Sequence, residues 1–237
     1  MNSILQQIYC IESLRNAIIE ARPISLLKKV NQSISFESED EECENLNNSL
    51  RDSIVCKDPI DLSDDKIQNL KVLAQLQRLF VHLNFSQLPY YNPEGFLEDF
   101  RLWGERVNKH EQHDALEFFS CLVDNIDEAM KLCNKQKPIE SLFTGTTENQ
   151  MICLDCPHRT QREETFITII ADVLNLGSLK ESLEQYVKED LLEGGNAYKC
   201  ETCQKKVRAI KRAVIKMCPP ILACQLSRFR FDYELSN

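Results

Sequence analysis

The apolar residues Ile4, Ile8, Leu14, Ile18 and Ile19 recur at the three- to four-residue spacing of a helix that buries one face. This predicts helix from Ser3 to about Val30, ended or bent at Pro23. Between Asn31 and Asp65 the pattern dissolves into Ser, Asn and acids. Six of the eight residues 37–44 are acidic, a composition that cannot recover its ordering entropy by burial and that predicts a disordered insertion. The helical period returns in Ile67, Leu70, Leu73, Leu76, Leu79, Phe80 and Leu83, for about five turns, and is closed by Asn84 and Pro89. The segment Leu88–Asn108 carries Tyr90, Tyr91, Phe96, Phe100, Leu102 and Trp103, too aromatic for a solvated linker, and is expected to pack on the helices. Glu111–Lys131 reads as another helix, with Phe118, Phe119, Leu122, Val123 and Ile126 inward and acids at its start, where the helix dipole favours them.

After Pro138 the pattern changes. Phe143–Gln150 and Thr165–Val173 are rich in Thr, Ile and Phe, and Val207–Met217 alternates apolar with basic residues, so all three predict strands. Leu179–Val187 reads as a short helix, Gly194-Gly195-Asn196 as a turn, and Ile221–Arg228, after Pro219-Pro220, as a last strand. The fold class that results is α+β, helical in the first half and β-rich in the second.

Composition narrows the function classes. The net charge of −9 disfavours a nucleic-acid binder, which needs clustered Lys and Arg. No apolar stretch approaches the roughly 20 residues that cross a bilayer, so no membrane association is expected. Eleven cysteines, an odd number, and the lack of a signal-type opening favour a reducing compartment, cytoplasmic or also nuclear, over a disulfide framework.

Four of those cysteines form two pairs, Cys153-x-x-Cys156 and Cys200-x-x-Cys203, separated by 43 residues. Two residues between thiolates let both sulfurs approach one cation, and two such knuckles complete a tetrahedron, which predicts a structural Zn²⁺. The alternative is four unrelated thiols or a redox pair. The spacer exceeds that of a compact zinc ribbon, so the fold rather than a short loop must join the pairs.

The remaining cysteines, Cys10, Cys43, Cys56, Cys121, Cys133, Cys218 and Cys224, are the candidate nucleophiles, and the four histidines His82, His110, His113 and His158 the candidate bases. A thiol needs a base held against it, and no complete dyad can be assembled from the residues alone. A second constellation lies at Glu111-Gln112-His113-Asp114-Ala115-Leu116-Glu117. Asp114 and Glu117, three apart, share a helix face and could clamp an arginine-rich peptide. Acids placed there for the helix dipole are the plainer alternative.

The string Gln112-His113-Asp114-Ala115-Leu116-Glu117-Phe118, the two cysteine pairs and Gln225-Leu226-Ser227-Arg228-Phe229 resemble, in order, the Q-x-D-A-x-E-F, finger-cysteine and L-x-R-F signatures of ubiquitin-specific proteases. Met1-Asn2-Ser3 with Gln6-Gln7 resembles the stretch just after the nucleophile in the N-x-x-x-C-Y-M-N-S box. Phe100-Arg101-Leu102-Trp103-Gly104 and Glu184-Gln185-Tyr186-Val187 are most similar to the fat-facets-like branch.

The resemblance implies a papain-like thumb, palm and fingers that hydrolyse the bond after ubiquitin's C-terminal glycine. Residues 1–30 and 67–145 would be thumb, 31–66 the acidic insertion, and 146–237 the fingers with part of the palm. Gln112, His113, Asp114 and Glu117 would contact ubiquitin's tail, and Cys153, Cys156, Cys200 and Cys203 would hold the fingertip zinc. The family nucleophile would lie two residues before Met1, and no G-H-x-x-Y segment is found after the L-x-R-F string, so the chain is expected to carry no catalytic residue and to be inactive alone. A catalytically dead ubiquitin binder, or a zinc-dependent interaction module, are the alternatives.

Overall fold

A computed structural model of the chain describes residues 2–30, 63–88, 90–108, 111–133 and 137–228. The acidic residues 37–44 of the expected insertion, Cys43, Cys56, His110 and Phe229 lie outside the described residues. The described chain is mixed α and β and divides into two compact units, residues 1–139 and 140–237.

The first unit opens with three helices where one long one was expected: α1 (Asn2–Cys10), α2 (Glu12–Glu20) and α3 (Pro23–Val30). Ile11 and Ala21 adopt extended backbone between them. Pro23 begins α3 rather than ending a helix, because its missing N–H costs nothing at the first helical position. The 22-residue helix α4 (Asp64–Phe85) starts ahead of Ile67, with Asp64 and Asp65 in its first turn, where their charge suits the helix dipole.

Helix α4 is the core of this unit. Leu70, Val72, Leu73, Ala74, Leu76, Leu79 and Phe80 are buried along it, more than one stripe can hold, because several elements pack around it. Two glutamines on α4 satisfy backbone and side-chain groups of its neighbours. The Gln77 amide donates to the Ile19 and Ala21 carbonyls at 2.6 and 2.7 Å, closing the end of α2. The Gln75 amide donates to the Asp99 carboxylate at 2.9 Å.

Of the aromatic segment, Phe96 and Phe100 pack inward whereas Tyr90 is exposed, and the segment is not a bare loop. It forms α5 (Glu94–Asp99) and a small hairpin, β1 (Arg101–Leu102) with β2 (Glu105–Arg106). Phe96 and Phe100 stack with centroids 5.4 Å apart, and both meet Phe118 of α6 (Ala115–Leu132). Trp103, at the hairpin turn, is 68% exposed. Helix α6 begins at Ala115, not at Glu111, because Asp114 caps it.

A short helix, α7 (Pro138–Phe143), runs across the boundary between the units. The second unit is built on an antiparallel sheet of four strands in the order β4-β3-β9-β6: β3 (Gly145–Cys153), β4 (Arg159–Phe166), β6 (Asp190–Leu192) and β9 (Ala209–Met217). Strand β4 went unpredicted over most of its length because all its residues but Phe166 are exposed and mostly polar, so no apolar alternation marks it. Its place comes from pairing with β3, Gly145 opposite Phe166 through Ile152 opposite Arg159.

β5 (Thr168–Asp172) pairs in parallel with β10 (Ala223–Ser227), Ile169 opposite Cys224. The helix α8 (Leu179–Tyr186) lies between them in sequence, capped by the Ser178 hydroxyl accepting from Glu181 N–H. The two-residue strands β7 (Tyr198–Lys199) and β8 (Lys206–Val207) form a hairpin around the second cysteine pair.

Gly145 sits where a side chain cannot. A Cβ there would come within 2.4 Å of the Phe166 ring and 2.8 Å of the Met217 carbonyl. Gly145→Ala is therefore expected to cost roughly 1–3 kcal/mol of stability, measured as a lowered midpoint in urea unfolding. An unchanged midpoint would mean that the sheet yields there freely.

Candidate functional site

The two cysteine knuckles meet although 43 residues separate them in sequence. Cys153 ends β3 and pairs with Ala209, the first residue of β9. β9 comes directly after β8, so the register of β3 against β9 sets the tip of the β3–β4 hairpin beside the β7–β8 hairpin. Each knuckle is closed by its own backbone: Cys153 N–H donates to the His158 carbonyl at 3.1 Å, and Cys200 N–H to the Lys205 carbonyl at 3.0 Å. Gln204 takes the left-handed turn position, φ +58°, that the second knuckle needs.

The sulfurs of Cys153, Cys156 and Cys200 lie within 4.8 Å of one another, and the Cys156 and Cys200 sulfurs are 3.7 Å apart. A tetrahedron with bonds of about 2.3 Å has edges of roughly 3.8 Å, so this separation fits two ligands of one cation. It is far from the S–S bond length of about 2.05 Å, and all nine described cysteines are free thiols. Cys203 packs against the same cluster with Tyr198 and Val207. The donor set is all sulfur, the soft ligand type that a tetrathiolate metal site uses.

The thiols are electrostatically unequal. Backbone N–H groups of Cys203 and Thr202 pull the Cys200 thiol down to about 6, whereas burial and the neighbouring thiols push Cys153 up to about 12.

Asp155, which the sequence reading passed over, and Arg208, which it counted among the basic residues of the Val207–Met217 strand, tie the knuckles together. Asp155, inside the first knuckle, pairs with Arg208, which stands between β8 and β9, and the guanidinium and backbone N–H of Arg208 hold its carboxyl below the usual range. An acid between two ligand cysteines was the available signal, but its partner lies 53 residues away.

At the start of α6, Gln112 and Asp114 are exposed, and His113 and Glu117 half-buried. Asp114 Oδ1 accepts from Leu116 N–H at 2.6 Å and from Glu117 N–H at 3.3 Å. Asp114 is thus the N-cap residue, with Glu117 in the first turn of the helix it caps. The His113 Nε2–H donates to the Asn108 carbonyl at 3.2 Å, which fixes the ring.

None of the three described histidines has a cysteine among its hydrogen-bond partners: His82 meets the Tyr90 carbonyl, His113 that of Asn108, and His158 the Thr202 hydroxyl. Cys121 lines a cleft with Asp64, Gln68, Arg101, Trp103 and Asp124. Burial pushes its thiol up, which keeps it protonated and a poor nucleophile.

A sequence profile described as ubiquitin carboxyl-terminal hydrolase matches residues 1–237. The chain belongs to the ubiquitin carboxyl-terminal hydrolase family. It is 45% identical to mouse ubiquitin carboxyl-terminal hydrolase 9X over 242 aligned positions, covering 99% of this chain and 9% of that protein. Human ubiquitin carboxyl-terminal hydrolase 9Y is 46% identical over 244 positions, with 99% and 9% covered. The Drosophila melanogaster protein named probable ubiquitin carboxyl-terminal hydrolase FAF is 46% identical over 169 positions, 71% of this chain and 6% of its own length. The chain therefore spans less than a tenth of these relatives. Family membership, and kinship with the fat facets protein, agree with the resemblance drawn from the motifs.

The capping role of Asp114 separates two substitutions. Asp114→Ala is expected to lose about 1 kcal/mol in thermal or urea unfolding, while Asp114→Asn, which still offers a carbonyl oxygen, stays near wild type. Equal losses in both would mean that the charge rather than the cap matters to stability.

Proposed function

We propose that this chain is part of a thiol protease that hydrolyses peptide and isopeptide bonds after the C-terminal glycine of ubiquitin, and that its own residues bind rather than cut. Membership of the ubiquitin carboxyl-terminal hydrolase family across residues 1–237 carries the reaction class. The second half of the proposal is supported by the imidazoles, since each of the three described ones is engaged by a carbonyl or hydroxyl oxygen and not by a thiol. Without a thiolate–imidazole pair among the described residues, the chain alone is not expected to cleave.

In this reading the fold is papain-like. Residues 1–30 and 67–145 belong to the thumb, together with the first turn of α4 from Asp64, the acidic insertion expected over residues 31–66 ends ahead of that turn, and residues 146–237 are fingers with part of the palm. Gln112, His113, Asp114 and Glu117 receive the arginine-containing tail of ubiquitin. Support comes from the negative charge at the start of α6 and from Asp114, whose capping bonds use Oδ1 and leave Oδ2 to accept from an incoming guanidinium. Ubiquitin and ubiquitinated proteins are the partners. The net charge of −9 sets the chain against nucleic acid, and no described helix is long and apolar enough to cross a membrane. The free thiols suit a cytoplasmic or also nuclear setting.

Cys153, Cys156, Cys200 and Cys203 hold one structural Zn²⁺. The 3.7 Å sulfur separation and the all-sulfur donor set support that choice of metal. Held by these four thiolates, such an ion would serve to cross-link the two hairpins.

Two measurements test these statements. Metal analysis of purified chain should find about one equivalent of zinc, and a content well below that rejects the zinc assignment. Titration with ubiquitin should give saturable binding that Asp114→Asn with Glu117→Gln weakens, by roughly three- to thirtyfold for two partly exposed charge contacts. Since Asn preserves the cap, undiminished affinity would remove the tail-binding role without a folding explanation.

A further inference from the structure

The two knuckles are joined by contacts that do not involve the thiols. Arg208 N–H donates to Asp155 Oδ2 at 2.8 Å, Arg208 Nη2 donates to Oδ1 at 2.8 Å, and Nε donates to Oδ1 at 3.2 Å. In return Leu154 N–H donates to the Arg208 carbonyl at 2.8 Å. One arginine thus grips the first knuckle through its guanidinium, its amide and its carbonyl.

A second strut lies on the other side of Cys156. His158 Nδ1 and the Thr202 hydroxyl are 2.7 Å apart, which ties the first knuckle to the residue between the two cysteines of the second. Asp155 and His158 lie either side of Cys156 in the first knuckle, and Thr202 and Arg208 either side of Cys203, so both struts run from one hairpin to the other.

The Asp155 and Arg208 side chains are 37% and 58% exposed, and a simple ion pair so solvated contributes little. This one differs in that the guanidinium fork, Nε with Nη2, closes on Oδ1 while the Arg208 amide donates to Oδ2 and its carbonyl accepts from Leu154 N–H, which fixes direction as well as distance. The need for it is electrostatic: four sulfurs destined for one cation repel one another as they ionise, and the knuckles carrying them come from distant parts of the chain.

We propose that Asp155 and Arg208 are positioning residues for the metal, forming a clasp that holds the two knuckles at ligand distance before the metal arrives. The proposal rests on the zinc reading given above. In its terms the cluster is preorganised, and the metal closes a site already aligned. Partners behind the ligands in metal sites commonly alter affinity by roughly 10- to 100-fold. Asp155 is the pivot, since Asp155→Ala removes the fork and the amide bond together. Arg208→Ala removes the fork alone and leaves the backbone N–H in place.

The test is zinc affinity of the whole chain by competition with a chromophoric chelator, with folding monitored by circular dichroism. Asp155→Ala should weaken zinc by about 10- to 100-fold and Arg208→Ala by less. The double variant should be no weaker than Asp155→Ala, because both changes break one clasp. In metal-stripped wild type, the Leu154 and Arg208 amides should exchange hydrogen more slowly than in stripped Asp155→Ala, a difference that a role only in the loaded site would not produce.

If wild type takes up no zinc, the zinc reading falls and the clasp proposal with it. If wild type takes up zinc and the single variants match its affinity, or the double variant multiplies their losses, the clasp proposal alone is overturned. Should Asp155→Ala fail to fold, Arg208→Gln decides the matter, since it leaves the backbone bonds intact, and wild-type affinity in that variant overturns the proposal.

Discussion

The pairing of β3 with β9 is the interaction on which the second unit depends. It runs from Thr146 opposite Met217 to Cys153 opposite Ala209 and so delivers the first knuckle to the place where the second hairpin ends. A slip of one residue would turn every side chain of β3 to the other face, moving Cys153 out of its buried position beside Cys200. Several contacts resist such a slip. Gln150 faces Arg212, whose guanidinium donates to it at 2.7 Å and to Glu189 at 2.5 Å. Lys216, at the bulge of β9, reaches diagonally to Glu148 on β3 and Glu163 on β4 and ties three strands together. Gly145 admits the Phe166 ring at the far end of the same pairing.

The first unit depends on a different device, a helix buried on several sides. Helix α4 can be surrounded because its polar residues serve its neighbours. Gln77 satisfies carbonyls at the end of α2 and Gln75 reaches Asp99, the last residue of α5, so burial strands few polar groups. The Phe96, Phe100 and Phe118 cluster then joins the aromatic segment to α6. It leaves the start of α6 open, where the carboxylate of Asp114 serves the backbone through one oxygen. The same residue can therefore fulfil the plain role of a cap and still present charge to a partner, and the two readings of Asp114 in the sequence are compatible.

What these two arrangements share is that chemistry-bearing residues are set by backbone bonds made elsewhere. The metal-ligand candidates are held by strand register and by two short hairpins. The charged helix start is held by an N-cap. In both, the side chains that would meet a ligand are already oriented, which reduces the ordering cost of binding.

The sequence by itself determined the residue types at the site and several of the longer elements. Period and composition gave α4, most of α6, α8, β5 and β9, and the cysteine spacing named the four thiols. The motifs led to the ubiquitin carboxyl-terminal hydrolase family, which the profile match and the relatives bear out. The tertiary structure alone decided the rest. It broke the first helix at Ile11 and Ala21, where the local residues carry no stop signal until Pro23. It made a strand of the solvent-facing residues 159–166, whose order comes from the β3 backbone rather than from burial of their own side chains. It also matched Asp155 with Arg208 across 53 residues. Periodicity and capping are local and can be read along a chain, whereas strand register and paired charges are properties of two segments at once, and only their meeting in space defines them.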